Sequence, residues 1–328
     1  MRVVFMGTPE FAVATLDRIV AAGYDVVAVV TTPDKPAGRG QHLKCSAVKQ
    51  YALEHDLPLL QPVRLRDEAF VSQLQSLHAD VFVVVAFRML PKEVYTIPPH
   101  GTFNVHASLL PQYRGAAPIQ WAIVNGEKKT GVTTFFLDEH TDTGEIVRQT
   151  EVEIAPDDDG GSLHDKLMTA GAEIAVQTLR DIEHDQVHSF PQPALKNLKP
   201  APKIFREDML IDWNDSAERV CDKIRGLSPY PGAFTRLHTL PAEAGSSSGQ
   251  GGDSSRELVL KIFKASITGK DAVDKPGTFV VDNNKKLLVS AKNREISVEI
   301  LQIEGKKRMK VEDFIVGFRF DNYTNTLF

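Results

Sequence analysis

The run Val81-Phe82-Val83-Val84-Val85-Ala86 constrains this chain more than any other segment. A strand without polar alternation must be covered on both faces, and sheets covered on both faces are built mostly from parallel strands joined by helices. The neighbouring segments agree. Val3–Met6 is a second apolar run and ends in Gly7-Thr8-Pro9; Phe11, Ala12, Leu16, Ile19 and Val20 follow at helical spacing. Tyr24–Thr31 reads as the next strand, Ala47–Glu54 as a helix, and Gly101–His106 and Gly131–Leu137 as further strands. This alternation predicts an α/β domain with a doubly wound, mostly parallel sheet and helices on both faces. Ligands in such sheets sit outside the carboxyl ends of the strands. The loops to search are therefore 7–10, 31–44, 86–91, 106–116 and 138–145.

The pattern changes in the second half. Phe190–Pro202 carries Pro191, Pro193, Pro200 and Pro202 and reads as an extended connector. Residues 1–189 are expected to form one domain, 190–206 a linker and 207–328 a second domain. Beyond the linker, Ala217–Arg225 has the look of an amphipathic helix. Ala233–Leu237, Leu258–Ile267, Gly277–Val281, Leu287–Ala291 and Ile296–Ile303 are short β-rich runs separated by turn residues. They predict a small antiparallel barrel. The Gly/Ser-rich stretch 244–255 reads as a hairpin tip or insertion.

A net charge of −5 speaks against a protein that coats nucleic acid nonspecifically. Its distribution is uneven: 18 Lys and Arg against 25 Asp and Glu in residues 1–200, and 20 against 18 in 201–328. A polyanionic partner touching the second half would fit, and so would ordinary scatter. Cys45 and Cys221 lie too far apart in sequence to suggest a disulfide scaffold. No apolar run is long enough for a membrane span, and the opening run is too short for a signal-peptide core. A cytoplasmic protein, acting as a monomer, is the expectation. The histidines are scattered without ligand spacing, so no metal is expected.

The densest chemical cluster is Asn104-Val105-His106-Ala107-Ser108-Leu109-Leu110-Pro111. Asn104 and His106 are two apart in a strand and share a face. An acidic loop, Leu137-Asp138-Glu139-His140-Thr141-Asp142-Thr143-Gly144-Glu145, follows a later strand. An amide donor, an imidazole and a carboxylate suit acyl transfer without a covalent intermediate: donors meet the oxyanion and the carboxylate orients the histidine and manages protons. A bare Asn-X-His more often closes a turn.

The wider context is more specific. Asn104–Gly115, continuing through Ala116-Ala117-Pro118-Ile119-Gln120-Trp121-Ala122, resembles the signature of the folate-dependent formyltransferase family, with Gly131-Val132-Thr133 and Asp138…Asp142-Thr143-Gly144 as its second loop. The resemblance covers essentially the whole chain. It implies a formyltransferase domain followed by a barrel of the oligonucleotide/oligosaccharide-binding kind, with Asn104, His106 and Asp142 as the catalytic trio. It implies 10-formyltetrahydrofolate as donor, held by Phe87, Arg88, Met89 and Leu90, by Ser108, Leu109, Leu110 and Pro111, and by Asp138 and Thr141. Arg88 departs from the family pattern, where a glycine is common; it brings into question the turn of that loop, and a solvated surface arginine is an equal reading. Gly7-Thr8-Pro9-Glu10 is not a dinucleotide-binding fingerprint. Arg114 has either a substrate role or a structural one.

The opening Gly7–Ala12 and the loop Thr32–Lys44 resemble the members of the family that act on initiator methionyl-tRNA. That loop would place Lys35, Arg39 and Lys44 against the end of an acceptor stem. Lys306, Lys307, Arg308 and Lys310, with Lys199 and Lys203, would extend a phosphate-binding track. Without the resemblance, a mobile basic loop and a solvated turn are the ordinary readings. Two sister activities share the chemistry: formylation of an amino sugar attached to UDP, whose basic loop should differ, and of glycinamide ribonucleotide, whose enzyme should lack the barrel. A non-enzymatic RNA-binding protein would leave Asn104–Trp121 without purpose.

Overall fold

The apolar runs read from the sequence become the centre of a seven-stranded sheet. The structure, a computed structural model, describes residues 1–37, 42–239, 257–282, 285–320 and 323–328, and only the backbone at 35–37 and 42–44. The chain divides into two compact units: residues 1–119, 129–154 and 162–203, and residues 120–128, 155–161 and 204–328. In chain order, the elements up to the proline-rich segment are β1 (Arg2–Gly7), α1 (Glu10–Ala21), β2 (Asp25–Val30), β3 (Lys35–Ala37), β4 (His42–Lys44), α2 (Ala47–Glu54), β5 (Leu59–Leu60), α3 (Glu68–Ser76), β6 (Val81–Val85), α4 (Lys92–Tyr95), β7 (Thr102–His106), α5 (Pro118–Val124), β8 (Lys129–Phe136), β9 (Ile146–Glu153) and α6 (Gly160–Glu183).

The sheet order is β5-β2-β1-β6-β7-β8-β9. Pairs from β5 to β7 are parallel, while β8 and β9 are antiparallel. Val3–Met6 and Val81–Val85 are buried throughout, as strands covered on both faces should be. On one face Val4, Met6, Val30, Phe82 and Val84 pack with Phe70 and Leu74 of α3 and Val94 of α4. On the other, α1 packs on β1, β2 and β6. There α6 approaches Val105 through Gly171 and bonds Thr134 through Thr178, with 2.8 Å between their hydroxyls. Asn104 lies between Val84 and Phe135 in register, so Asn104 and His106 face the α3–α4 side.

The antiparallel direction of β8 changes the geometry expected for the acidic loop. His106 pairs with Thr133, but Leu137 donates to the Thr102 carbonyl at the opposite end of β7. The loop 138–145 therefore leaves the sheet at the amino end of β7, not at its carboxyl end. It reaches His106 only by folding back. Alternating or continuous apolar residues do not encode strand direction, which is why the sequence reading misplaced this exit.

The basic loop also differs from an unstructured one. Lys35–Ala37 and His42–Lys44 pair as an antiparallel ribbon, with Pro36 opposite Leu43. At its base the Asp34 carboxylate accepts from Lys49 Nζ at 2.6 Å and Gln61 Nε2 at 3.0 Å. These bonds hold the Asp34 carboxyl below the usual carboxylate range.

The second unit contains α7 (Ala217–Gly226), β10 (Ala233–Thr239), β11 (Glu257–Asp271), β12 (Phe279–Val281), β13 (Leu287–Ser290), β14 (Arg294–Ile303), β15 (Met309–Lys310), α8 (Val311–Gly317) and β16 (Tyr323–Leu327). Its strands are antiparallel in the order β12-β13-β14-β11-β10-β16, and a bridge between Thr278 and Thr326 nearly closes the barrel. Val289, Ile296, Val298, Leu301 and Trp213 fill it. Ser216 caps α7 by accepting from Arg219 N–H. The stretch 244–255 lies outside the described residues.

Phe135 of β8 is fully buried with Leu110 and Ile146, edge-on to His106. Phe135→Ala should destabilise the first unit by about 3–5 kcal/mol through the lost transfer energy and the cavity. The urea dependence of amide exchange in β7 and β8 measures this; a change below about 1 kcal/mol would show that the site's floor does not depend on Phe135.

Candidate active site

The site begins where β7 ends. His106 is 7% exposed, and its Nε2 lies 2.9 Å from the Tyr113 carbonyl. A carbonyl only accepts, so Nε2 carries a hydrogen there and Nδ1 is the nitrogen turned to the site. Nδ1 is 3.9 Å from Asp142 Oδ2, whose side chain is 12% exposed. That oxygen accepts from the Gly115 N–H at 2.9 Å. Asn104 Oδ1 is buried and has no hydrogen-bond partner among the described residues. A buried polar atom left unpaired is costly, and on the same strand face as His106 it marks a place where a ligand group belongs.

Why the segment 108–115 takes this shape follows from its bonds. Thr133 Oγ1 donates to the Ser108 carbonyl and accepts from Leu110 N–H and Gln149 Nε2. Ser108 Oγ donates to the Gln112 carbonyl. Ser108, Leu110 and Pro111 are buried and hold the loop; Leu109 is half-buried. Tyr113 and Gly115 have φ of 60° and 126°. At Gly115 a Cβ would stand 2.3 Å from the Ala201 carbonyl oxygen, so glycine is required. Asp142 itself has φ 56°.

The proline-rich segment forms part of this construction. Tyr113 N–H donates to Lys199 O, Ala201 N–H to Arg114 O, and Ala117 N–H to Ala201 O. Phe190 and Ile146 exchange both backbone bonds. Gln192 meets Arg114 and the Asp142 loop. Residues 190–201 thus run as a strap from β9 to the 113–117 loop, within the first unit.

A cavity of about 660 Å³ lies beside the site, bounded by Arg64, Leu65 and Arg66, by 88–92, by Tyr95 and by 138–140. It contains Arg88, Met89, Leu90 and Asp138 of the residues expected for the donor, and none of Asn104, His106 or Asp142. Phe87 is half-buried and Thr141 exposed. Arg88 is not a solvated arginine: it donates to the Pro62 and Val63 carbonyls at 2.9 and 3.1 Å and leans on the Phe87 ring. Burial lowers its pKa. The left-handed residue of that turn is Ala86, φ 46°, so a side chain at 88 does not obstruct it. Asp138 accepts from Thr143 Oγ1 and the His140 N–H. Arg64 and Arg66 are exposed, with no guanidinium partner among the described residues. The sequence reading missed them because β5, two residues long, leaves no apolar run to mark the loop that follows.

Of the residues expected at RNA, Arg39 lies outside the described residues, as do the side chains of Lys35 and Lys44. Lys199 contributes backbone bonds to Gln112 and Tyr113, and Lys203 closes the first unit. Lys306, Lys307 and Lys310 are exposed around the β14–β15 turn. Arg308 is committed to the protein: its guanidinium sits 3.5 Å from the Phe263 ring centre and donates to the Pro229 carbonyl. No group of His, Cys, Asp and Glu suited to a metal ion occurs among the described residues. No described helix is long and apolar enough to cross a membrane.

An Asn-X-His strand end faces a carboxylate on a folded-back loop, and the proteins this chain resembles are named for transfer of a small acyl group. Residues 1–179 match the formyl transferase family and 203–319 its C-terminal domain, and the chain belongs to that family. It is 48% identical to a methionyl-tRNA formyltransferase of Bacteroides fragilis, over 97% of this chain and 95% of the relative. To a methionyl-tRNA formyltransferase of Flavobacterium johnsoniae it is 46% identical, over 98% of each. Among solved structures, the N-formyltransferase of Helicobacter canadensis in complex with folinic acid and dTDP-3-aminofucose superposes with a TM-score of 0.63 at 19% identity, covering 90% of this chain and 98% of that one. It shares the fold.

Gly115→Ala should cost about 1–3 kcal/mol by forcing a side chain into a left-handed conformation against Ala201. Chemical denaturation of the variant checks this; wild-type stability would mean that the 113–117 loop and the strap separate readily.

Proposed function

We propose that this chain transfers the formyl group of 10-formyltetrahydrofolate to the α-amino group of initiator methionyl-tRNA, for the start of protein synthesis. The observation that carries the reading is the buried Asn104 Oδ1, unpaired among the described residues, on the same strand face as the His106–Asp142 pair. The relatives' shared name supplies the acceptor.

The residues divide the work as follows. The amine nitrogen forms a bond to the formyl carbon, and the carbonyl electrons move to oxygen. Asn104 Nδ2–H and, in the doubly protonated ring, His106 Nδ1–H donate to that oxyanion. Asp142 Oδ2 stays on the Gly115 N–H, which leaves Oδ1 to take the proton released by the amine. The tetrahedral intermediate collapses with cleavage of the bond to N10, and the proton held by Asp142 passes to N10. Atoms and charge balance without a covalent enzyme intermediate. The 88–92 and 138–140 walls hold the donor beside this point, and the exposed guanidiniums of Arg64 and Arg66 suit its anionic tail.

The barrel's Lys306, Lys307 and Lys310 are assigned to RNA phosphates, as are Lys35, Arg39 and Lys44 of the basic segment. Lys199 and Lys203 are assigned to RNA phosphates as well. Arg308 is assigned to stabilising the Pro229 loop.

Transfer of labelled formyl from the donor to initiator methionyl-tRNA, with a UDP-linked amino sugar and glycinamide ribonucleotide as controls, tests the acceptor. Label in a control and none in tRNA would sink the proposal. His106→Ala and Asp142→Ala should each slow single-turnover transfer ~100-fold or more with tRNA binding retained. A near-normal rate in either would remove that residue from the chemistry.

Neutralising Lys306, Lys307 and Lys310 together should flatten the dependence of log affinity for tRNA on log salt, by roughly 0.7–0.9 for each phosphate no longer neutralised. An unchanged slope would assign the three lysines to solvent.

A further inference from the structure

Gln192 is the residue of the strap that the proposed reaction leaves without a role. Its Oε1 accepts from Arg114 Nε at 3.1 Å and Nη2 at 2.6 Å. Its Nε2 donates to the carbonyls of Asp142 and Gly144, both at 2.9 Å. A primary amide has two N–H bonds and two lone pairs, and here all four are used. No other side chain of this length presents two donors and two acceptors in one plane. Glutamate would keep the Arg114 contact and turn an acceptor onto two carbonyl oxygens.

The arrangement has a purpose beyond local satisfaction. Arg114 immediately precedes Gly115, whose N–H holds Asp142 Oδ2. Gln192 therefore ties the residue before Gly115 to the backbone of Asp142, closing a ring around that bond. Asp142 needs such a restraint. Its φ of 56° is left-handed, which costs energy for any residue with a side chain, though aspartate less than most. Arg114 forms no ion pair among the described residues, so the amide is also what aims its guanidinium.

We propose that Gln192 is a positioning residue: it fixes the Asp142 carboxylate opposite His106, and through it the strap is a working part of the active site. The proposal rests on the reading of Asp142 as the proton-handling carboxylate. Gln192 touches no reacting atom; its effect passes through Asp142.

The decisive variant is Gln192→Glu, which keeps the Arg114 arm and reverses the other. Its kcat should fall ~10- to 100-fold, as small misplacements of a reacting group do, with KM for donor and tRNA within about two-fold of wild type. Exchange of the Gly115 amide proton should accelerate at least ~10-fold as its bond to Asp142 loosens. In a double-mutant cycle, Q192E should cost nothing further in a D142N background, because residues acting as a unit are not additive. Q192A, read by the same three measurements, replaces Q192E should that variant fail to fold. A kcat within about two-fold of wild type, or losses that multiply in the double variant, would overturn the proposal. A near-normal rate for D142N would instead overturn the catalytic reading of Asp142. Gly115 exchange still reports positioning then: unchanged in Q192E, it overturns the proposal by itself.

Discussion

The hydrogen bond from the Gly115 N–H to the Asp142 carboxylate is the contact on which the rest of the site depends. Strand topology alone brings Asn104 and His106 together, because they are neighbours on one face of β7. It does not bring Asp142, which starts from the far end of that strand. A loop must fold back over the sheet, and a folded-back loop needs an anchor. Gly115 supplies one backbone donor at the required spot, and it does so only because a glycine can sit that close to Ala201. Everything downstream, from the 3.9 Å spacing of His106 and Asp142 to the burial of both, presumes this anchor.

Around it the two kinds of packing separate cleanly. The parallel strands β5 to β7 form a rigid frame, with β1 and β6 buried on both faces, while the polar groups are concentrated in loops bolted down by a few hydrogen-bond centres such as Thr133. The cavity bounded by 88–92 and 138–140 follows the same plan. It is lined by the buried Leu90, by Arg88 held by two carbonyls and by the exposed Arg64 and Arg66. One fixed guanidinium beside two exposed ones suits a ligand that carries an anionic group.

The strands β1 and β6 are legible in the sequence because continuous apolar runs report burial on both faces, and Asn104 and His106 because two residues apart in a strand share a face. What stays hidden is long-range. The reversed direction of β8 leaves no trace in composition. Arg88 reads equally well as a surface residue, whereas two carbonyls from Pro62 and Val63, distant in sequence, occupy its guanidinium. The loop carrying Arg64 and Arg66 follows a strand too short to show periodicity. Arg308 looks like one more cation in a basic run, and only the fold puts Phe263 beneath it. Gln192, surrounded by prolines, looks like linker.

Those prolines carry a thermodynamic consequence for the strap. Residues 190–201 belong to no named strand or helix and bury little apolar surface of their own, yet they must stay ordered for the 113–117 loop to keep its shape. Order of this kind is opposed by chain entropy, roughly 1–2 kcal/mol for each residue fixed. Pro191, Pro193 and Pro200 lie within the strap and Pro202 directly beyond it; each restricts the disordered chain before it folds, a gain of about 0.4–1 kcal/mol where the ring fits. An irregular segment can thus lie permanently along a reaction centre without a core to hold it, because much of the freedom it would surrender was never available.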